Sequence, residues 1–300
     1  MEKITGFESA LETAAEKPPL PSIRLEFFRH DEKESDPGKP EQDIRLTQAG
    51  REHASAVGLE REPQVDVAVV YGSSRVRSTE TALRQALAGT GEIGPADSLE
   101  DMESMIDSRL EVGQKSLVDE RLNFHYGPAY IDPAMERFAK GKDYLVFALM
   151  ESDNLVKEKK DKESSCYSRQ AAGIAEIVER YFDALSRWEQ ITTEQPDKYK
   201  KSGLELQRFF GSHATVTETF LLKVIEKQEG KEAALGFLGH DLGKNGFGYS
   251  EGYSLKISRD EESGEATGEL SYKGRTWKID RELLEEIISD RDELDKSINS

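Results

Sequence analysis

The chain has 300 residues and a formal net charge of -18 at neutral pH, with 36% hydrophobic and 33% charged residues. That length is sufficient to bury a sizeable core, as one domain or as one domain with an inserted cap. The charge argues against nucleic-acid binding, because a polyanion would be repelled over most of the surface. The single cysteine, Cys166, excludes an intramolecular disulfide framework and a cysteine-based zinc cluster, and it is typical of a reducing compartment.

Membrane and secretory signals are not visible in the sequence. The longest apolar run, residues 144–150, is much shorter than the roughly 20 residues that span a bilayer. Residues 1–20 are acidic and contain no apolar segment of the kind found in secretory signals. We therefore expect a cytoplasmic protein whose partners are neither membranes nor nucleic acids.

The first part of the chain alternates predicted strands with predicted helices. The strands follow from β-branched, aromatic and apolar runs, and the helices from capping residues and periodicity. In chain order we predict an N-terminal tail (1–22), a strand (23–28), a loop (31–42), a helix that Thr47 caps and that runs to about residue 59, a strand (65–71), and a helix that Ser73 or Ser74 caps and that runs to about residue 88. This alternation indicates an α/β fold with a parallel sheet covered by helices.

The second part begins with weak periodicity and ends with clear elements. A long amphipathic helix stands out at residues 168–190, where the apolar positions follow the helical period. The remaining predictions are an irregular region (89–132), a short helix (133–142), a solvated linker (151–163), a strand (204–210), a helix (214–229), a glycine-rich loop (236–252), three short strands (254–257, 270–272 and 275–279) and a final helix (281–290). Together these elements predict a three-layer αβα sandwich with a mostly parallel central sheet.

Two histidines and two arginines stand where reactive groups gather in such folds. Arg29 and His30 end the first strand, His213 ends a later apolar strand, and Arg77 lies in the first turn of a helix. The carboxyl ends of parallel strands meet at one edge of the sheet, and helix N-termini there favour anions. An arginine beside a histidine can hold a phosphate while the imidazole attacks phosphorus.

In these residues the chain resembles the histidine phosphatase superfamily, in its phosphoglycerate-mutase-like branch. The Arg-His signature of the family matches Arg29-His30, and its Asp-x-x-Leu-Thr-x-x-Gly segment matches residues 43–50. Its Ser-x-x-x-Arg-x-x-x-Thr-Ala element matches residues 73–82, and its second-histidine element resembles residues 211–214. The resemblance implies one phosphatase-like domain over residues 23–300, with a specificity cap inserted at about 97–165.

The resemblance also implies roles for these residues. His30 would be the nucleophile that forms a phosphohistidine, and Arg29, Arg77 and His213 would bind the phosphoryl oxygens. The implied enzyme is a histidine acid-type phosphatase, a phosphoric monoester hydrolase, and the Glu32-Lys33 pair is similar to phosphatase members more than to mutases. Its substrate would be a small phosphorylated molecule or a phosphoprotein, and no cofactor or metal is expected.

The sequence leaves the proton donor open. The family places a glutamate after the helix that carries its second arginine, but Asn123 and Phe124 stand where that residue is expected. Glu120 is the first choice. The alternatives are the carboxylates Glu100, Glu103, Asp107 and Asp119 and the imidazole of His125. Asp31 is a second departure, since the family has glycine or another small residue after the nucleophile, and Asp31 would repel a phosphate unless it is turned away.

Two other functions remain open from the sequence: a phosphoglycerate-mutase-type phosphotransferase, and a non-catalytic phospho-ligand binding or scaffold protein on the same fold.

The residues that other phosphoryl-transfer chemistries need do not occur at the required spacing. Cys166 lacks the arginine that a Cys-x5-Arg phosphatase needs, and no Asp-x-Asp follows the strand at 65–71. The segment at 236–245 lacks the first glycine and the Ser or Thr of a phosphate-binding P-loop, so we predict an ordinary loop there.

Overall fold

A computed structural model describes residues 20–63, 68–109, 117–139, 144–243 and 246–300. The predicted tail and the first part of the strand predicted at 65–71 lie largely outside these residues. The strands are β1 (Ser22–Arg29), β2 (Ala68–Gly72), β3 (Leu117–Val118), β4 (Glu205–Ser212), β5 (Gly252–Arg259), β6 (Ala266–Tyr272) and β7 (Arg275–Ile279). The helices are α1 (Gln48–Glu60), α2 (Val76–Leu87), α3 (Leu99–Arg109), α4 (Pro128–Ala139), α5 (Tyr144–Met150), α6 (Ser152–Lys159), α7 (Tyr167–Glu194), α8 (Pro196–Tyr199), α9 (Val216–Glu229), α10 (Lys231–Phe237) and α11 (Arg281–Asn299).

The strands form one mixed sheet in the order β3-β2-β4-β1-β5-β6-β7. Strands β3, β2, β4 and β1 are parallel to one another. Strand β5 is antiparallel to β1, β6 is antiparallel to β5, and β7 is antiparallel to β6. The prediction of a mostly parallel sheet therefore holds for one side of the sheet only. The physical reason is connection length: β6 and β7 are joined by two residues, and a parallel pair needs a crossover of about a dozen or more.

Helices pack against both faces of this sheet. Phe27 and Phe210 stack on one face, with ring centroids 4.5 Å apart, within a core to which α7, α9 and α11 contribute. Their chain neighbours Phe28 and Phe209 point to the opposite face, into a second core with α2 and α3. This alternation is the period-two geometry of a strand buried on both sides, and it gives the helix–sheet–helix layering expected from the sequence.

The predictions for the first helices are confirmed with one correction. Thr47 caps α1, and its side chain accepts a hydrogen bond from the Gly50 amide. Neither Ser73 nor Ser74 caps α2, because the N-cap position is Arg75. Ser73 instead precedes the helix in a tight turn, where its hydroxyl accepts a hydrogen bond from the Arg75 amide at 3.1 Å.

The region predicted to be irregular or solvated contains more helix than its sequence indicates. Helix α6 occupies most of the predicted linker at 151–163, and α3 lies within the irregular region at 89–132. Val156 of α6 is fully buried in a small cluster with Tyr130 and Phe147. Such short, highly charged helices are stabilised by tertiary packing, which local periodicity does not reveal.

The glycine-rich segment predicted to be a loop begins within a helix. Helix α10 runs to Phe237, and a further helical turn covers Leu238–Leu242. Residues 246–251 then lead into β5. Among the described residues, no helix combines the length and the apolar character needed to cross a bilayer.

Gly211 tests the packing that positions α2 over β4. A Cβ atom on Gly211 would lie 1.9 Å from the carbonyl oxygen of Ser78, a backbone atom of α2 that has no flexible way to yield. We expect Gly211→Ala to lower the free energy of unfolding by about 1–3 kcal/mol, the usual cost of overpacking. Chemical denaturation monitored by circular dichroism measures the change.

Gly236→Ala in α10 is the matched control. A Cβ atom there meets nothing within 4 Å, so the substitution is expected to stabilise the helix by roughly 0.5–1 kcal/mol. Equal free energies of unfolding for the two variants would contradict the close approach of α2 to β4.

Candidate active site

Three neighbouring parallel strands bring the predicted site residues together. β4 pairs with β1 on one side and with β2 on the other. His30 follows the last residue of β1, His213 follows β4, and Arg77 is the second residue of the helix after β2. The amide of His30 donates to the carbonyl of Ser212 at 2.8 Å, so the two histidines leave the same edge of the sheet in register.

The His30 ring is held in one orientation and one tautomer. Nδ1 lies 2.7 Å from the carbonyl oxygen of Asp31. A carbonyl only accepts, so Nδ1 carries the proton, and Nε2 keeps its lone pair. The Nε–H of Arg77 points at that lone pair from 3.1 Å. The unprotonated nitrogen of His30 therefore accepts a hydrogen bond from a cationic group.

Burial keeps both histidines neutral. Burial outweighs the hydrogen bond to Asp31 and, with Arg77 and Arg29, lowers the pKa of His30 to about 3. Burial likewise lowers the pKa of His213 well below its ordinary value, with further contributions from His30 and Arg77. The two rings meet edge to face, with centroids 5.2 Å apart. Neutral imidazole is the form in which a histidine can attack phosphorus.

His213 and Arg29 carry buried nitrogen atoms that have no hydrogen-bond partner among the described residues. Nε2 of His213 lies 2.7 Å from the hydroxyl of Ser73, but its Nδ1 is unpartnered. Arg29 donates through Nη1 to the carbonyl of Phe247 at 2.7 Å, whereas its Nε is unpartnered. Buried polar atoms without partners are costly, so a bound anion is a natural source of the missing acceptors.

Glu41, which the sequence motifs do not single out, is a carboxylate that lies among the basic residues of the site. Its Oε1 contacts Arg77 Nη2 at 2.9 Å, Lys33 Nζ at 2.7 Å and Arg75 Nη1 at 3.4 Å. Partial burial raises the pKa of Glu41, but Lys33, Arg77 and Arg75 outweigh it and hold the pKa below its ordinary value. The residue lies in the loop between the first two motifs, whose path the sequence pattern does not fix.

Glu120 lies at the rim of this site, on the segment that follows β3. Its Oε2 accepts hydrogen bonds from Ser74 Oγ at 3.2 Å and Asn123 Nδ2 at 3.1 Å. Asn123 Oδ1 in turn accepts from Arg75 Nε at 3.0 Å. These contacts hold an exposed carboxylate beside the turn that carries Ser73.

Phe124, which with Asn123 stands where the resemblance implies an acid, packs against the site instead. Its ring meets His213 edge to face with centroids 5.3 Å apart, and the Arg75 guanidinium lies 4.1 Å above its centroid. An aromatic ring there contributes shape and burial but no proton.

The other candidate acids are less well placed. Asp119 is engaged by Arg121, with Oδ2 2.6 Å from Nη2, and it caps the turn at Glu120–Leu122. His125 is exposed, and its amide bonds to Ser165. Glu100 and Glu103 lie on α3, while the side chain of Asp107 falls outside the described residues.

The carboxylate of Asp31 is taken up by hydrogen bonds. Ser250 Oγ donates to Oδ2 from 2.5 Å, and His53 Nδ1 donates to the same oxygen from 2.7 Å. The amide of Glu32 donates to Oδ1 from 2.7 Å. The Asp31 carboxylate is therefore directed at donors within the protein. This is the arrangement that an acidic residue next to His30 needs if it is not to repel a phosphate.

Within the described ranges, no group of three or more His, Cys, Asp or Glu side chains is arranged to hold a metal ion. Instead, the site gathers cationic and neutral nitrogen groups: three arginines, a lysine and two imidazoles. Such a set can bind an oxyanion and stabilise negative charge as it develops.

Comparison with known proteins finds similarity at the level of structure only. No known family description and no curated protein matches the sequence. A structure titled mycobacterial hydrolase 2 is 15% identical, with a TM-score of 0.43 over 89% of this chain and 97% of that one. A mycobacterial glucosyl-3-phosphoglycerate phosphatase with inorganic phosphate is 16% identical, with a TM-score of 0.44 over 84% and 97%. A phosphoglycerate mutase from Bacillus anthracis str. Sterne is 12% identical, with a TM-score of 0.39 over 90% and 98%.

The low pKa of His30 has a measurable effect on stability. His30 stays neutral in the folded protein down to about pH 3, whereas the unfolded chain protonates it near its ordinary value of 6.5. The unfolded state therefore binds one more proton in that window, and stability falls as the pH falls from 6.5 towards 3. Relative to His30→Gln, the wild type should lose up to about 1.4 kcal/mol per pH unit.

Urea denaturation of the two proteins between pH 7 and pH 4 (~3 units) measures this difference. The comparison cancels the titration of groups that both proteins share. Parallel stability curves would contradict a buried, neutral His30.

Proposed function

We propose that this chain, by its motifs and its strand-end site, is a member of the histidine phosphatase superfamily. We propose further that it is a phosphohydrolase that acts on a phosphomonoester through a phosphohistidine on His30. The observation that carries the proposal is the state of the His30 ring. Nδ1–H is tied to the Asp31 carbonyl, and Nε2 presents its lone pair beside Arg77. The ring is therefore neutral and fixed, and its unprotonated nitrogen accepts from a guanidinium that can also bind a phosphoryl oxygen.

The first chemical step transfers the phosphoryl group to the enzyme. Nε2 of His30 attacks phosphorus, the bond from phosphorus to the leaving oxygen breaks, and a carboxylic acid protonates that oxygen. Arg77, Arg29 and His213 bind the non-bridging oxygens, whose charge grows as the bond breaks. The hydrogen bond from Nδ1 to Asp31 supports the positive charge that the ring gains.

The second step returns the enzyme to its starting state. Water attacks the phosphorus, the carboxylate left by the first step takes a proton from that water, and the bond from phosphorus to Nε2 breaks. Inorganic phosphate leaves, and His30 is again neutral. Transfer to the hydroxyl of a second substrate in place of water would make the enzyme a mutase.

Glu120 is the proposed proton donor. Ser74 and Asn123 hold its carboxylate at the mouth of the site, beside the turn that positions Ser73 and Arg75. Its exposed carboxylate is accessible from solvent. Glu41 lies closer to Arg77, but three cations favour its ionised form, which opposes the role of an acid in the unliganded site.

A phosphate that binds Arg77 competes with Glu41 for the guanidinium, because Nη2 donates to the Glu41 carboxylate and Nη1 to its carbonyl. Lys33 and Arg75 stay at the rim and attract anions in a chain of net charge -18. We propose a small phosphorylated substrate or a phosphoprotein as the ligand, in a cytoplasmic setting. The cap of the proposed single domain over residues 23–300 would be residues 97–165.

The nucleophile is tested by turnover of a generic phosphomonoester such as p-nitrophenyl phosphate. We expect turnover by the wild type and a loss of kcat of about 10³-fold or more in His30→Ala, because the covalent route is removed. His240→Ala, at an exposed histidine of the last helical turn before residue 243, is the matched control and should retain activity.

The outcome separates the three functions that the sequence left open. Equal turnover in wild type and His30→Ala would contradict the mechanism. An inactive wild type that still binds phosphate would favour a non-catalytic binding protein. Phosphoryl transfer to an added hydroxyl substrate, with little free phosphate, would identify a mutase.

The proton donor is tested with two leaving groups. An alkoxide needs protonation as it leaves, whereas p-nitrophenolate does not. We expect Glu120→Gln to lower kcat/KM by about 10²–10⁴-fold for an alkyl phosphate, and far less for p-nitrophenyl phosphate. The same pattern in Glu41→Gln, with Glu120→Gln unaffected, would move the role of acid to Glu41.

A further inference from the structure

A single peptide group, between Asp31 and Glu32, is bonded at both of its ends within the site. Its carbonyl accepts the proton of His30 Nδ1 at 2.7 Å. Its N–H donates to Oδ1 of Asp31 at 2.7 Å. The carboxylate of Asp31 is therefore linked to the His30 ring through the Asp31–Glu32 peptide group and not by a direct contact.

The carboxylate is fixed on its other side as well. Oδ2 accepts hydrogen bonds from Ser250 Oγ at 2.5 Å and from His53 Nδ1 at 2.7 Å. The backbone N–H of Asp31 donates to Thr81 Oγ1 at 3.0 Å, and that hydroxyl donates to the carbonyl of Arg77 at 2.8 Å. Asp31 is 1% exposed, so its geometry is determined by these partners.

We propose that Asp31 is a positioning residue, which fixes and polarises the peptide group that orients the His30 nucleophile. The proposal rests on the phosphohydrolase function proposed above. A carboxylate that accepts from one end of an amide increases the negative charge on the carbonyl oxygen at the other end, because hydrogen bonds in series polarise one another. The carbonyl of Asp31 then holds the Nδ1 proton more strongly.

This effect is greatest when the nucleophile is phosphorylated. Bond formation at Nε2 makes the ring cationic, and the Nδ1–H donor becomes stronger as the charge develops. A polarised carbonyl stabilises that state more than the neutral ring, which lowers the barrier to transfer. In metal sites, the removal of a carboxylate that orients a histidine from one shell away typically costs about 10–100-fold in affinity or activity.

The burial of Asp31 is otherwise hard to explain. Removing a carboxylate from water is costly and requires several good hydrogen bonds. The three donors, Glu32 N–H, Ser250 and His53, come from different parts of the chain and converge on it.

The test compares Asp31→Ala, Asp31→Asn and His53→Ala for kcat, KM and the state of His30. Asp31→Ala should lower kcat about 10–100-fold with KM nearly unchanged. Asp31→Asn, whose amide oxygen can still accept from Glu32 N–H, should recover part of that loss. His53→Ala should change kcat less than Asp31→Ala, since it leaves the bond to Oδ1 in place.

Nitrogen-15 NMR of the histidine rings gives a readout that needs no turnover, with the His30 signals assigned from their absence in His30→Gln. In the wild type we expect protonated Nδ1 and unprotonated Nε2. Asp31→Ala should shift the Nδ1 signal and raise the population of the other tautomer. If the wild type hydrolyses no phosphomonoester, the proposed function fails, while this spectrum still tests the role of Asp31.

Two results would overturn the proposal. One is an Asp31→Ala protein that folds and keeps the wild-type kcat. The other is a loss of kcat with unchanged His30 signals, which would indicate a purely structural role. If Asp31→Ala does not fold, Asp31→Asn decides: a reduced kcat with a shifted Nδ1 signal supports the proposal, and wild-type values for both overturn it.

Discussion

The hydrogen bond from His30 Nδ1 to the carbonyl of Asp31 is the interaction on which the rest of the site depends. Burial makes the ring neutral, but a neutral imidazole can place its proton on either nitrogen. The carbonyl settles that choice and leaves the lone pair on Nε2, where Arg77 faces it. The order β2-β4-β1 brings Arg77 and His213 to the same edge. The fold thus positions the site residues, and the carbonyl oxygen of Asp31 determines which nitrogen of His30 carries the proton.

The proposed anion site, in so acidic a chain, has to be built locally. The structure does this by gathering Lys33, Arg75 and Arg77 around one point, where Glu41 now lies. That carboxylate compensates the three cations, and it contacts the Arg77 guanidinium, which is proposed to bind the phosphoryl group. Exchanging this internal carboxylate for a substrate anion costs less free energy than leaving buried charges in the site without a partner.

The sequence predicted the parts of the fold and the site that local patterns encode. The strands before His30 and His213 are apolar runs, and the helix after Thr47 has its cap, so their ends could be predicted closely. Two features lay beyond local reasoning. The helix Ser152–Lys159 depends on tertiary burial of Val156, and Glu41 reaches the site through the path of an irregular loop. The antiparallel strands could have been recognised from the two-residue gap between β6 and β7, which permits only a hairpin.

The identity of the phosphorylated atom tests the account most directly. The enzyme would be quenched during turnover under alkaline conditions, which preserve a phosphorus–nitrogen bond, and the modified residue would be located by mass spectrometry. Phosphorus–nitrogen NMR coupling would then identify the ring nitrogen. The account predicts phosphate on Nε2 of His30, because Nδ1 is occupied by its bond to Asp31. Phosphate on Nδ1 or on His213, or turnover with no phosphoenzyme in the quenched samples, would contradict it.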